Sequence, residues 1–280
     1  MQNIALPQKV EFKKGEGKNR DLIIIEPCYP GYGTTLGNSI RRILLSSLPG
    51  SAVVGVKIKG AAHEFSTLSN VKEDVLEIIL NLKQLRLKVH TDEVIKLELE
   101  AHGEKEIKAG GITKNSLVEI INPDLVLAHI TDMAGSLNME IFVSRGRGYE
   151  TVESREEKIH EIGYIEIDSI FSPILAVGIN VENVRVGKMT NWDKLILNIL
   201  TDGTVTPENA FRQAVEILIS QFNALLGEEE QESKKTKKPA LPADKRESKD
   251  DEKEEKAEEK AEAGEPAEAK PKKRGRPKKI

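Results

Sequence analysis

Asp21 to Pro27 reads DLIIIEP, a short apolar block closed by proline, the pattern of a buried strand. The period then changes. In GYGTTLGNSIRRILLSSLPG (31–50), Leu36, Ile40, Ile43, Leu44 and Leu48 recur at helical spacing, with Arg41 and Arg42 off the stripe. This predicts a helix capped by Thr34 or Thr35 and ended by Pro49-Gly50. Residues 52–60 read as a strand. Residues 70–83 predict a second helix, with Asn70 as cap, Glu73 completing a box-like start, and Val75, Leu76, Ile79 and Leu82 facing inward. Two alternating runs flank Thr91-Asp92-Glu93 within 85–101 and predict a hairpin. More strands are expected over 118–130, 137–150 and 163–186, broken at Asn122-Pro123-Asp124, and Leu195, Leu197 and Ile199 alternate inward.

The last periodic segment, 206–227, has Thr206 as cap, Pro207 in the first helical position and Gly227 as its stop. Phe211, Val215, Leu218, Phe222 and Leu225 fall four, three, four and three residues apart. Such a seam lies along another helix or on the chain's own sheet, and spacing alone leaves both open. The fold class expected is α+β with three helices, many strands and no internal repeat.

Composition changes this picture at one place. Beyond Gly227 the chain has no Phe, Trp, Tyr or Cys, and is mostly Glu, Lys, Ala, Pro, Asp and Ser. Such a segment cannot bury enough apolar surface to offset the entropy of ordering, so a disordered tail is expected. Charge divides it: residues 228–269 carry a net −6, and residues 270–280 a net +7, in a chain of net charge −4. Cys28, the one cysteine of the 280 residues, excludes an internal disulfide and fits packing at a strand end in a reducing cytoplasm. No apolar run is long enough to span a membrane, and the N-terminus lacks a signal-peptide core.

Candidate chemistry is sparse. GYGTTLG (31–37) sits between a strand and a helix, where a helix N-terminus can hold phosphate. Its spacing is neither the dinucleotide fingerprint nor a P-loop, and no acidic residue ends the next strand. The glycines are read as letting the chain turn tightly into the helix. His63, His90, His102, His129 and His160 show no metal-ligand spacing. The residues read as a scaffold with no catalytic, cofactor-binding or metal site.

TLGNSIRRILLSSLPGSAV (35–53) resembles the first helix of the bacterial RNA polymerase alpha subunit. The resemblance continues through HEFSTLSNVKEDVLEIILNLKQL (63–85), RGRGYE (145–150), IDSIFSPILAVGINVENVRVG (167–187) and NWDKLILNILTDGTVTPENAFRQA (191–214). It covers about residues 1–227. It implies a two-lobed amino-terminal domain: a discontinuous dimerisation lobe (1–49 and 170–227) and an inserted, mainly β lobe (50–169). It also implies a homodimer whose core includes the seam Phe211, Val215, Leu218, Phe222 and Leu225. That dimer would carry the beta and beta-prime subunits, with Arg42, beside Arg41, engaging beta. HEFST and RGRGY become candidate surfaces toward the large subunits. The chain would be a non-catalytic subunit of a nucleotidyltransferase, cytoplasmic and associated with the nucleoid, with no membrane partner.

One departure matters. Family members usually carry a small helical DNA-binding domain after a linker, and residues 228–280 are too polar to form one. Instead stands KKRGRPKK: Arg274, Gly275, Arg276 and Pro277, flanked by Lys272, Lys273, Lys278 and Lys279. This resembles an AT-hook. Narrow A-T minor grooves attract inserted Arg, Gly275 lets the backbone lie on the groove floor, and the lysines meet phosphates. A generic polybasic end is the plainer alternative. For the whole chain, the alternatives are a free-standing dimeric DNA-binding architectural protein and, through Gly31 to Gly37, a nucleotide-binding enzyme.

Overall fold

The computed structural model describes residues 4–155 and 161–226. Gly227, His160, the charged arm and the basic tip lie outside the described residues. The fold is α+β, with mostly antiparallel sheet.

Strands β1 (Lys9–Lys14) and β2 (Arg20–Cys28) lead into helix α1 (Tyr32–Ser46) and strand β3 (Pro49–Ile58). Helix α2 (Val75–Leu82) precedes β4 (Leu87–Val89), β5 (Ile95–His102), β6 (Lys105–Lys108), β7 (Val118–Ile120), β8 (Val126–Ile130) and the long β9 (Ser136–Arg147). Then follow β10 (Tyr149–Glu150), β11 (Tyr164–Glu166), β12 (Ser169–Ile170), the paired long strands β13 (Ile174–Val186) and β14 (Met189–Thr201), and helix α3 (Pro207–Leu226).

Two four-stranded sheets organise the chain, ordered β1-β2-β14-β13 and β11-β3-β9-β5. Each has its own hydrophobic core. One core draws on Ile23, Ile25, Ile40, Leu44, Leu48, Leu195, Leu197, Ile199, Phe211 and their neighbours, from both ends of the described chain. The other lies wholly within residues 53–167. Ala52, Val54 and Phe171 form a small third cluster, with Phe142 packed against it.

Three expectations are corrected. The first helix begins at Tyr32 behind Gly31, so neither Thr34 nor Thr35 caps it; a carboxylate from β14 does so instead. The second helix begins only at Val75. Asn70 has φ 62°, and Asp74 is the cap, its side chain accepting the Glu77 N–H at 2.7 Å. The reason is competition from β8: Lys72 N–H donates to the His129 carbonyl, and Val71 bridges Ile130, so residues 70–73 are held against β8 and kept out of the helix. The inward face is Val75, Ile78, Ile79 and Leu82, with Leu76 exposed.

The hairpin is also replaced. β4 pairs with β7, and β5 pairs with β9. The alternation in β5 is real, each inward residue buried and each outward one exposed. Alternation specifies a face, not a neighbour.

Candidate functional site

Helices α1 and α3 cover one face of the sheet β1-β2-β14-β13. From α1, Ile40 and Leu44 are buried on Leu195, Leu197 and Ile199 of β14 and on Ile23 and Ile25 of β2. Close approach depends on two glycines. A Cβ at Gly33 would lie 2.9 Å from the Asp193 Cβ, and one at Gly37 would lie 2.9 Å from Leu195 Cδ1. Real Cβ contacts do not come that near, so these glycines set how deeply α1 sits on the sheet.

The N-terminus of α1 carries no acidic residue of its own. Asp193 of β14 supplies the charge: its Oδ2 accepts the N–H of Gly31 at 2.9 Å and of Gly33 at 3.0 Å. The donors that a phosphate would use in the GYGTTLG segment are spent on this carboxylate. Cys28 lies beneath, fully buried, its thiol pushed up by burial and further by the Asp193 charge. A thiol so placed packs and does not react.

Arg41 and Arg42 lie on the outer face of α1, both exposed, beside Leu45, which is also exposed. The structure thus brings the two arginines and a leucine to one accessible helix face.

Helix α3 is divided along its length. Thr206 caps it, with the Asn209 N–H directed to its hydroxyl at 3.4 Å, and Pro207 takes the first position. Its first half is anchored. Ala210, Phe211 and Ala214 are buried, Phe211 meets Phe12 edge-on at 6.0 Å, and the Arg212 guanidinium lies over the Phe12 ring. Val215 and Leu218 are half-buried against the same core. The second half is bare: Ile219 is 53% exposed, Phe222 57%, Leu225 81% and Leu226 52%. Within this chain, exposure of the five seam residues rises along the helix. Phe211 belongs to the chain's own core, and Phe222 and Leu225 stand in solvent. Four large apolar side chains on two successive turns form an exposed patch of the sort that marks an interface.

The two weaker motifs are placed differently. In HEFST, Phe65 is 74% exposed. It neighbours a groove of about 840 Å³ beside α2, lined among others by Glu64, Leu76, Ile79, Lys83 and Glu166. In RGRGY, Arg145 pairs with Asp92 at 3.0 Å, Gly146 is packed against Phe171, and Tyr149 is 60% exposed. Two features escaped sequence reasoning. Tyr29, Tyr32 and Trp192 stack edge to face at the sheet end, with centroids about 6 Å apart. Arg155, half-buried and held by three hydrogen bonds, gave no sequence signal at all.

No group of three or more His, Cys, Asp or Glu side chains among the described residues is placed to hold a metal ion. No helix among them is long and apolar enough to cross a membrane.

Residues 56–172 match the family model described as the RNA polymerase Rpb3/RpoA insert domain. Among curated proteins, the chain is 52% identical over 208 residues to a DNA-directed RNA polymerase subunit alpha of Carboxydothermus hydrogenoformans, covering 74% of this chain and 66% of that one. It is 47% identical over 227 residues to the subunit of that name from Desulforamulus reducens, and 44% identical over 227 residues to that from Oceanobacillus iheyensis. Each of those two alignments covers 81% of this chain and 72% of the relative. Identity at this level over most of the chain leaves one assignment: the chain belongs to the family of bacterial DNA-directed RNA polymerase alpha subunits.

Proposed function

We propose that this chain is the alpha subunit of a bacterial RNA polymerase, a homodimeric platform on which the beta and beta-prime subunits assemble for DNA-templated transcription. The observation that carries the reading, beside family membership, is the bare second half of α3. Ile219, Phe222, Leu225 and Leu226 stay exposed next to a fully packed first half. Covering each contributes roughly 1.5–3 kcal/mol, and a second copy of the same helix supplies the cover. In this reading residues 1–49 and 170–227 form the dimerisation lobe and 50–169 the inserted lobe, a division supported by how the two cores are distributed along the chain. Arg42, with Arg41, engages beta from the outer face of α1. Chemistry belongs to the large subunits, and this chain supplies no cofactor or metal ligand. The complex works in the cytoplasm, at the nucleoid.

The tail adds DNA binding. Arg274, Gly275, Arg276 and Pro277, with Lys272, Lys273, Lys278 and Lys279, act as an AT-hook that holds AT-rich duplex near a promoter. The same basic tip supports the second reading, a free-standing dimeric architectural protein on the alpha fold.

The deciding experiment is mass spectrometry of what a tagged full chain retains in its native host. Beta and beta-prime in stoichiometric amounts are expected. A chain recovered only as a free dimer on DNA supports the second reading and overturns the first.

A further inference from the structure

The two stretches of chain that connect the cores, 48–53 and 167–174, pack against each other at a joint built without slack. Gly50 of β3 and Gly146 of β9 are direct cross-strand partners. Phe171 lies on this pair. A Cβ on Gly50 would fall on the Phe171 carbonyl oxygen, and a Cβ on Gly146 would lie 2.6 Å from its ring. Both positions must be glycine for the phenylalanine to seat. Phe171 itself is 2% exposed, and its N–H donates to the Gly148 carbonyl at 2.8 Å.

Arg155 fastens the segment that leads into Phe171 onto β3. Its guanidinium donates to the Val54 carbonyl, the Ile167 carbonyl and the Ser169 hydroxyl, each at 2.7 Å. The Ser169 hydroxyl in turn donates to the Val53 carbonyl at 2.7 Å, and the Ile167 N–H to the Val54 carbonyl at 3.0 Å. A five-donor planar cation that spends its bonds on backbone carbonyls of two separate segments locks their spacing more firmly than any apolar contact. Beyond the joint, the chain passes directly into β13, whose Ile174 and Val177 belong to the core of the other sheet.

We propose that Phe171, seated on the Gly50–Gly146 pair at the end of a segment that Arg155 ties to β3, is a rigid elbow that makes the two cores one mechanical and cooperative body. Part of RGRGY then has a role distinct from partner contact. Its first glycine is the socket for Phe171, and its second glycine's carbonyl receives the Phe171 N–H. The consequence for assembly, which rests on the alpha-subunit reading, is that the α1 face and the inserted-lobe face reach the large subunits at one fixed angle. The elbow itself does not depend on that reading.

Calorimetry and amide exchange on the full chain test it. The wild type should unfold in one transition. Gly146→Ala and Arg155→Met should split it in two. Ile141→Val, buried within one core, should lower the single transition without splitting it. In the elbow variants, the Phe171 and Ile167 amides should exchange at least about tenfold faster while amides inside each core keep their protection. Phe171→Leu, which removes the ring without adding bulk, is read in the same way if Gly146→Ala does not fold. Two transitions in the wild type, or one in every elbow variant with protection lost evenly, overturns the elbow. With beta and beta-prime co-expressed, elbow variants should stay dimeric yet retain about tenfold less of both. A wild-type chain that retains neither subunit sinks the alpha-subunit reading and leaves the calorimetric result standing.

Discussion

Glu73 and His129 hold each other twice: the carboxylate accepts the His129 backbone N–H at 2.7 Å and the imidazole Nδ1–H at 2.5 Å. Burial pushes the Glu73 carboxyl up, but the two bonds from His129 outweigh it and leave the carboxyl below its ordinary value. A depressed carboxyl stabilises the fold fully above its unfolded value, near 4.3, and that contribution is lost as pH falls through the lower folded value. Glu73→Gln should cost about 1.5–3 kcal/mol at pH 7, and less at low pH. Urea midpoints of both proteins at pH 7 and at about pH 2.5 check this. A gap that does not narrow on acidification would mean that the charge is idle.

Asp193, which lies outside α1, is expected to close the start of that helix. Asp193→Ala orphans the Gly31 and Gly33 N–H groups and should cost about 1–2 kcal/mol. Asp193→Asn keeps an acceptor and loses mainly the charge–dipole part, about 0.3–1 kcal/mol. Denaturant midpoints that rank the two substitutions the other way contradict the capping role.

The exposed end of α3 gives a clean dimer test. Phe222→Asp with Leu225→Asp places two charges in the patch and touches nothing in the chain's own core. A folded monomer by light scattering, with unchanged far-ultraviolet circular dichroism, is expected. Leu218 is a poorer site, since it is half-buried against its own sheet. A dimer that survives the double change places the interface elsewhere.

Arg42→Glu should leave that dimer intact and release beta. Reversing a charge at a buried interfacial pair costs about 2–5 kcal/mol, a loss of thirtyfold or more in affinity. Normal assembly in the variant removes Arg42 from the interface.

For the basic tip, a peptide of residues 270–280 should prefer AT-rich over GC-rich duplex at matched salt. Arg274→Ala/Arg276→Ala should abolish the preference. Equal binding to both duplexes, falling together as salt rises, leaves only polybasic attraction.

The periodic parts of this molecule could be read from the sequence and its long-range choices could not. The stripe Ile40, Leu44 and Leu48 and the alternation Leu195, Leu197 and Ile199 point at one another across the core as their spacing requires. The cap of α1 was missed because the helix is completed by a residue some 160 positions away. Asn70 misled because β8 captures the segment before it can coil. The seam of α3 has one spacing and two surroundings, and spacing carries no record of where a helix leaves its sheet. The family resemblance identified the chain and the segments that matter, but did not say which glycine holds a surface open and which one seats a phenylalanine.

The capping of α1 by Asp193 also sets an order of events during synthesis. Strand β2 and helix α1 leave the ribosome early, yet the strand that flanks β2 and the carboxylate that closes α1 are made 160 residues later, roughly 10–30 s afterwards. The core confined to residues 53–167 is complete by then and can close first. The sheet that supports α3 thus becomes whole only when translation has nearly passed it. A prematurely ended chain would keep a folded middle but lack the completed sheet and the helix that lies on it.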